Sequence, residues 1–253
     1  MMLQQTQVDR VAPRWERFLA RFPTPAATAS AGVAAVIDEW AGLGYNRRAV
    51  ALHAAAVTCV EQHGGALPDD LDGLLALPGV GPYTARAVLA FAHHADVGVV
   101  DTNTGRVLAR LAGRQLRAAE AQQGADASVP EGHGWEWNQA MLDLGAAVCT
   151  KRSPSCADCP VRRWCAWQGG PDEDPAAGSA GVSVGQARFE GSDRQGRGRL
   201  VAALLEQGAL AADDLAEVAG WPDDVERATR VAAGLVADGL AADDGDGGLA
   251  LPR

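Results

Sequence analysis

The sequence predicts an all-α protein that ends in a small separate module. Of its 253 residues, 47% are apolar but only 5% are aromatic, which is typical of helices packed through Ala, Leu and Val. Short apolar stretches with helical periodicity alternate with turns that contain Pro and Gly. A stretch rich in Pro, Gly, Ser and Ala at 169–188 then separates the first two thirds of the chain from residues 189–253.

The helices expected ahead of the first Gly-rich turn are short and joined by tight loops. The first shows neither an N-cap nor a lead-in turn, so we expect a chain truncated at its N-terminus. It is interrupted at 22–25 by two prolines, and Gly42-Leu43-Gly44-Tyr45 forms a tight loop further on. These helices are predicted at 1–21, 33–40, 47–63 and 68–77.

The stretch 77–110 carries the first functional signal. Pro78-Gly79-Val80-Gly81 is a turn between two apolar helical patterns, and its glycines let successive N–H groups approach a ligand. The helix that begins near Pro82 adds its N-terminal amides, and the combination suits a phosphate. Asp101 follows about twenty residues later, just before another helix. Taken singly, such a turn also fits a plain helix–helix connection, and the aspartate fits an N-cap.

Four of the five cysteines form a cluster with the spacing C-x6-C-x2-C-x5-C. The stretch 113–134 before it is predicted as a loop, and 135–147 as a helix. No segment resembles a signal peptide and no apolar run reaches the roughly 18 residues of a membrane span, so we expect a cytosolic protein. In that compartment four close thiolates favour a metal centre over disulfides, and zinc would accept them too. The cluster consists of Cys149, Cys156, Cys159 and Cys165, and Cys59 is left as a core residue.

The net charge of −10 is unevenly distributed. Residues 1–168 carry 15 basic against 16 acidic residues, whereas 169–253 carry 7 against 16. The near-neutral front part can therefore present a basic face, for which Lys151, Arg152, Arg162 and Arg163 are candidates. Lys151 is the only lysine, which excludes a catalytic amine from a lysine in the region of the Gly-rich turn.

Several motifs resemble one family of DNA repair enzymes. The segment 77–85, LPGVGPYTA, resembles the helix-hairpin-helix of base-excision DNA glycosylases, and VDTN at 100–103 resembles the aspartate segment that follows it. The cysteine spacing resembles the [4Fe–4S] loop of endonuclease III and MutY glycosylases. LQQT at 3–6 and GLGY at 42–45 resemble MutY-type adenine glycosylases in particular.

This resemblance implies the helix-hairpin-helix DNA glycosylase fold, a helical barrel with an iron–sulfur helical domain. We expect the barrel at 1–100, the iron–sulfur domain at 101–168, a linker at 169–188 and a winged-helix-like module at 189–253. That module is predicted from helices at 199–208, 211–219 and 223–238 and a hairpin at 239–251. Its acidic charge argues against phosphate contacts and favours a protein partner or a structural role.

The resemblance also implies catalytic roles. Asp101 would face the oxocarbenium-like sugar, and Tyr83 stands where bifunctional relatives place a Schiff-base lysine, so we expect hydrolysis without strand nicking. The family's general-acid Glu falls three positions before Leu3, just ahead of Met1. Because a positioned acid is worth about 10²–10⁴-fold in rate, we expect this chain to bind DNA better than it cleaves it.

The implied DNA contacts come from several segments. Gln4 and Tyr45 would enter the duplex and fill the gap that a flipped base leaves, and Gln139 would reach the edge of the flipped adenine. Each also fits a plainer role, as a solvated glutamine, a half-buried aromatic or a surface glutamine. The cluster would hold 150–164 and aim basic side chains at phosphates. The full set is Gln4, Thr6, Leu43, Tyr45, Gly79, Gly81, Gln139, Lys151 and Arg152.

The expected function is removal of adenine mispaired with 8-oxoguanine or guanine from double-stranded DNA, by a cytoplasmic, nucleoid-associated bacterial monomer. Typical MutY proteins end in a Nudix-like β-rich domain, which 189–253 does not resemble. Recognition of 8-oxoguanine would then depend on Gln4, Thr6 and Leu43 and would be weaker. The alternatives are an endonuclease III-like pyrimidine glycosylase, a non-catalytic iron–sulfur DNA-binding protein and a zinc-ribbon adaptor. Tyr83 and the segment 3–6 argue against the first.

Overall fold

The computed structural model describes residues 1–180, 182 and 188–252, and it is mostly helical, as predicted. Residues 181 and 183–187 of the predicted linker lie outside the described residues. The helices are α1 (Val8–Arg21), α2 (Pro25–Ser30), α3 (Val33–Glu39), α4 (Arg47–Gln62), α5 (Leu71–Ala76), α6 (Pro82–Ala92), α7 (Thr102–Ala112), α8 (Ala118–Ser128), α9 (Gly134–Asp143), α10 (Asp193–Gln207), α11 (Leu215–Ala219) and α12 (Val225–Ala237).

Shorter elements surround these helices. A π-helical turn, Leu144–Val148, extends α9, and 3₁₀ turns cover Cys156–Asp158, Arg162–Trp164 and Ala212–Asp214. In the described part of the C-terminal region, β1 (Ala209–Leu210), β2 (Ala242–Asp243) and β3 (Leu249–Ala250) form an antiparallel sheet in the order β1–β3–β2. No helix among the described residues is long and apolar enough to cross a bilayer.

Two predicted segments differ from the structure. Residues 1–6 form turns rather than the start of a helix, which begins at Val8. The predicted loop 113–134 contains α8, which begins with a capping box between Arg117 and Glu120. Its sequence is polar and lacks an apolar face, but alanine has the strongest helix propensity and the cap satisfies its first amides.

The chain forms two compact units, and their limits do not coincide with the predicted domain boundaries. One comprises residues 1–68, 76–79 and those from 186 onward, and the other comprises 69–75 and 80–185. In the first unit, Trp40 of α3's C-terminal cap belongs to the same apolar core as Leu200 and Leu204 of α10. The region after the predicted linker therefore shares a core with the N-terminal helices, because the short helices of each region leave an apolar face to bury.

The core of the second unit is built from α7, α8 and α9, with Val107, Ala121 and Met141 buried in it. Ala176, from the predicted linker, is buried in the same core. The backbone N–H of Ala180 also donates to the carbonyl of Leu116 at 2.9 Å. The first half of the predicted linker is therefore packed against its own unit.

Candidate active site and nucleic-acid interface

The Gly-rich turn joins α5 to α6 as predicted. Gly79 has φ +73°, and a Cβ there would lie 2.6 Å from the Cβ of Ala51, so this position requires glycine. Gly81 caps α6 without a side-chain bond, and a Cβ at Gly81 would meet nothing within 4 Å. Pro82 occupies the first turn of α6, where its missing N–H costs nothing. Gly79 is thus needed for packing, whereas the space at Gly81 is open to an approaching ligand.

Asp101 caps α7. Its Oδ1 accepts hydrogen bonds from the backbone N–H groups of Asn103 at 2.8 Å and Thr104 at 2.7 Å. Both bonds use Oδ1 and leave Oδ2 outside the cap. The N-cap interpretation and the catalytic one are therefore compatible, because the cap fixes the direction of a half-buried carboxylate whose second oxygen can face a ligand.

A buried asparagine holds the segment that leads to Asp101. Asn138, in α9 and only 2% exposed, accepts from the N–H of Val99 at 2.8 Å. It donates to the carbonyls of Val97 and Gly134 at 2.8 and 2.7 Å. Sequence reasoning passed over Asn138, although a polar residue on the buried face of a helix is the signal that finds such a position.

Tyr83, in the first turn of α6, interacts electrostatically with the carboxylate of Asp101. Burial of the phenol, and then the charge of Asp101, raises the pKa of Tyr83 above its ordinary value. The phenol therefore remains protonated at neutral pH. Beside it lies a cleft of about 410 Å³ with mainly apolar lining, which also includes Arg86 and Val100.

Gln139 is half-buried on α9, and its amide donates to Asp143 one turn later at 3.0 Å. The bond is the ordinary i,i+4 pairing of a helix surface. The predicted contact between Gln139 and a flipped adenine therefore stays a prediction.

Arg48, which sequence reasoning missed, joins the two segments that resemble MutY glycosylases. At the N-terminal segment it donates to the carbonyls of Met1 at 3.1 Å and Met2 at 2.9 Å, to that of Gln4, and to the Thr6 hydroxyl at 2.9 Å. At the loop it donates to the carbonyls of Leu43 at 3.3 Å, Gly44 at 2.9 Å and Tyr45 at 3.4 Å. Its fork of N–H donors suits this task, since irregular backbone leaves carbonyls without secondary-structure partners.

The segments that Arg48 joins are strained. Gln5 has φ +56° and Tyr45 has φ +48°, left-handed values that side-chain-bearing residues rarely adopt. Each costs on the order of 1–3 kcal/mol and persists only where the surroundings hold it. Tyr45 is 41% exposed, and Gln5 is exposed as well. Together with Gln4, which is half-buried, these residues make up the surface that we call the wedge (residues 4, 5 and 45).

Two residues predicted as DNA contacts lie behind the wedge rather than on it. The Leu43 side chain is only 3% exposed and packs in the core of its unit, because the loop turns it inward. The Thr6 hydroxyl donates to the Leu43 carbonyl at 3.2 Å and accepts from Arg48. Both residues therefore support the wedge, and the predicted DNA contact of Leu43 stays a prediction that its backbone, rather than its buried side chain, would have to make.

The four clustered cysteines line one cavity together with apolar side chains that include Val107, Leu144 and Val148. Burial, and then the charges of the other three thiolates, raises the pKa of Cys156. Four ionised thiolates therefore need a cation among them, and this donor set fits a metal centre. No group of three or more His, Cys, Asp or Glu in the described ranges is gathered as a single bound ion would require.

A buried arginine closes this cavity. Arg110, only 1% exposed, donates to Cys149 Sγ at 3.3 Å and to the Thr150 carbonyl at 2.8 Å. Both its Nε and its Nη2 donate to Asp174, at 3.0 and 2.7 Å. Arg106, one turn earlier, donates to the Cys149 carbonyl at 2.7 Å. Two arginines at i and i+4 on an apolar helix are the signal that sequence reasoning missed, since buried charges are kept only when they are paired.

The basic residues near the cysteines are exposed, as an interface with an anionic partner requires. Lys151 and Arg152 precede the first 3₁₀ turn, and Arg162 and Arg163 lie in the second. The guanidinium of Arg163 lies 3.7 Å from the ring centroid of Trp164, which is itself exposed. Arginine paired with an exposed aromatic ring suits a nucleic-acid surface.

Comparison with known proteins places this geometry in context. A family model described as HhH-GPD superfamily base excision DNA repair protein matches residues 1–130. The adenine DNA glycosylase of Mycolicibacterium smegmatis is 39% identical, over 99% of this chain and 84% of that protein. The adenine DNA glycosylase of Mycobacterium tuberculosis is 41% identical, over 99% and 83%. The human adenine DNA glycosylase is 40% identical, over 65% of this chain and 32% of the human protein.

Solved structures give the same picture of the fold. A thermostable thymine-DNA glycosylase superposes with a TM-score of 0.61 at 25% identity, over 66% of this chain and 80% of that one. A trapped covalent intermediate of endonuclease III with DNA superposes with a TM-score of 0.60 at 23% identity, over the same shares, which concerns the fold alone.

Proposed function

Because the chain belongs to the HhH-GPD superfamily of base excision DNA repair proteins, we propose that it is an adenine DNA glycosylase acting on adenine mispaired with 8-oxoguanine or guanine. The observation that carries the proposal is Asp101, whose carboxylate is fixed through Oδ1 at the start of α7, beside the hairpin tyrosine. The similarity to adenine DNA glycosylases over 99% of the chain supports the choice of base.

In the proposed reaction the C1′–N9 bond breaks as the purine takes up a proton, and water then adds to the sugar. The Oδ2 oxygen of Asp101 stabilises the positive charge that develops on the sugar, and Asn138 positions Asp101 through the Val97–Val99 backbone. Tyr83 offers a protonated phenol instead of an amine, so no Schiff base forms with a hairpin side chain. The product strand should therefore stay intact until alkali is added.

Asp101 does not supply the proton that the leaving purine takes up. The family resemblance assigns it to a glutamate at the position just ahead of Met1. A positioned general acid contributes about 10²–10⁴-fold in rate, so supplying this glutamate ahead of Met1 should raise the rate of adenine release by a similar factor.

In DNA binding, the wedge residues and the phosphate-contacting residues have separate tasks. The wedge enters the stack beside the mispair, with Tyr45 and Gln4 filling the space that the flipped adenine leaves. Gly81, Lys151 and Arg152 contact phosphates. Because Leu43 and Thr6 are used as supports, recognition of the opposite base depends on Gln4 and its neighbours on the wedge.

The proposed cofactor is a [4Fe–4S] cluster, held by Cys149, Cys156, Cys159 and Cys165. When bound, it would supply four iron–thiolate bonds that cross-link positions 149, 156, 159 and 165 and so brace the loop 150–164 between them. Arg110 and the N–H of Gln168, which lies 3.4 Å from Cys165 Sγ, would donate to the thiolates. The role of these residues is to fix the exposed basic side chains in place for phosphate contacts.

Single-turnover adenine release tests the function. A duplex with A opposite 8-oxoguanine is incubated with the chain as printed and with a version extended upstream by the expected glutamate. We expect release from the extended version, with an intact strand before alkali. Asp101→Asn in the extended version should reduce the rate about 10²–10³-fold while keeping the N-cap, since asparagine caps as well as aspartate. Equal rates for the extended enzyme and its Asn variant would refute the assignment.

A further inference from the structure

A second aromatic residue and an arginine lie next to the wedge, and both come from the C-terminal region. Arg194, in the first turn of α10, donates to the Tyr45 hydroxyl at 3.1 Å. Its guanidinium lies 5.8 Å from the ring centroid of Phe189, which is 56% exposed. The same unit contains all three residues, so the surface that carries Tyr45 continues through Arg194 to Phe189.

The net charge of the C-terminal region is negative, but the charge is unevenly distributed along its sequence. Residues 188–199 carry four arginines against two acidic residues, whereas 200–253 carry three arginines against eleven. The basic segment is the one that meets Tyr45. The acidic total therefore does not argue against a phosphate contact at this end of the region.

The acidic residue next to Arg194 is paired with arginines of α12. Asp193 accepts hydrogen bonds from Arg227 Nε at 2.8 Å and from Arg230 Nη1 at 3.1 Å, both of α12. Hydrogen bonds from Arg227 lower the pKa of Asp193, so its charge is engaged inside the region. Glu190, the other acid of the segment, accepts from the Gln195 amide at 3.1 Å.

We propose that Phe189 and Arg194 form a DNA-contacting extension of the wedge, in which Arg194 binds a phosphate and Phe189 packs against a base or sugar beside Tyr45. This rests on the proposed function only in taking DNA as the partner. An arginine and an exposed ring that continue from an inserted aromatic residue are the elements with which proteins follow an unstacked strand. The alignments with both mycobacterial relatives extend over this region, because they cover 99% of the chain.

The test measures binding of the full chain to an undamaged duplex and to one with A opposite 8-oxoguanine, by fluorescence anisotropy over a range of KCl. Arg194→Gln should weaken binding about 5-fold and reduce the slope of log Kd against log salt by about 0.9, the value for one phosphate contact. Phe189→Ala should weaken binding about 5-fold with an unchanged slope, and Phe189→Tyr should restore it. Arg117→Gln removes an equal charge from an exposed side chain at the start of α8 and should leave both quantities within about 2-fold.

The outcomes separate the proposal from simpler explanations. If Arg194 only orients Tyr45, Arg194→Gln will leave the salt slope unchanged, and Tyr45→Phe will weaken binding as much as Arg194→Gln does. This result would overturn the phosphate contact. If Phe189→Ala binds both duplexes as the parent does, the stacking contact is overturned. A lack of adenine release by the version that includes the upstream glutamate would contradict the proposed function alone, since binding to the undamaged duplex does not depend on the reaction. Thermal unfolding of each variant checks that these exposed positions leave the fold intact.

Discussion

Replacing Arg48 by lysine should release the wedge without removing a DNA contact. The two left-handed residues, Gln5 and Tyr45, store on the order of 1–3 kcal/mol each. Arg48 opposes this with hydrogen bonds to carbonyls on both segments, each contributing roughly 1 kcal/mol net. A lysine ammonium is a compact group without the planar fork, so it can serve one segment but not both. The balance then favours relaxation of one segment.

Two measurements on Arg48→Lys should detect this relaxation of the wedge. Hydrogen exchange at the amides of residues 1–6 and 43–46 should become at least about 10-fold faster, the equivalent of roughly 1.4 kcal/mol, while exchange in α7 stays the same. The preference for A opposite 8-oxoguanine over an A·T pair should fall by a similar factor. The salt dependence of binding should not change, because Arg48 faces protein carbonyls and not phosphate.

Either of two results would refute this role of Arg48. If the salt slope falls by about one phosphate contact, Arg48 binds DNA directly. If exchange in both segments and the pairing preference match the parent, other contacts hold the wedge. The variant Arg47→Lys, one residue earlier and exposed, controls for the loss of a guanidinium on the same helix.

Further expectations concern the hairpin and the cysteine loop. Gly79→Ala should lower the free energy of unfolding by about 1–3 kcal/mol, whereas Gly81→Ala should leave it unchanged in chemical denaturation but weaken DNA binding, because its added methyl occupies the open approach to the turn. Burial raises the pKa of Asp174, but the hydrogen bonds from Arg110 outweigh burial and hold this pKa below its ordinary value. Its contribution to stability is therefore present above about pH 4 and lost as the pH falls through the lower folded value, so Asp174→Asn should flatten the acid limb of a stability–pH curve. Cys156→Ser should reduce the visible absorbance of an iron–sulfur protein and weaken DNA binding, and a colourless parent protein that binds zinc would contradict the proposed cofactor.

Local chemistry explains what could be predicted from the sequence. The turn around Gly79, the cap at Asp101 and the start of α6 at Pro82 each depend on neighbours within a few residues, and the structure has them where the sequence predicts them. The helix α8 was missed because its stability comes from alanine propensity and a cap and not from an apolar face. The side-chain burial of Leu43 was missed because it depends on the direction in which a loop turns, which no local pattern records.

Arg48, Asn138 and Arg110 share a physical reason for being missed, and it concerns function. Each lies on a helix but bonds to irregular backbone elsewhere, at the wedge, at the approach to Asp101 or at the cysteine loop. Such backbone has carbonyls and N–H groups without secondary-structure partners, and leaving them unpaired inside a protein costs about 1–3 kcal/mol each. A loop that must present a side chain in a fixed position therefore needs a polar side chain from a rigid neighbour. We therefore expect polar residues on otherwise apolar helix faces to identify which loops a protein of this fold holds rigid.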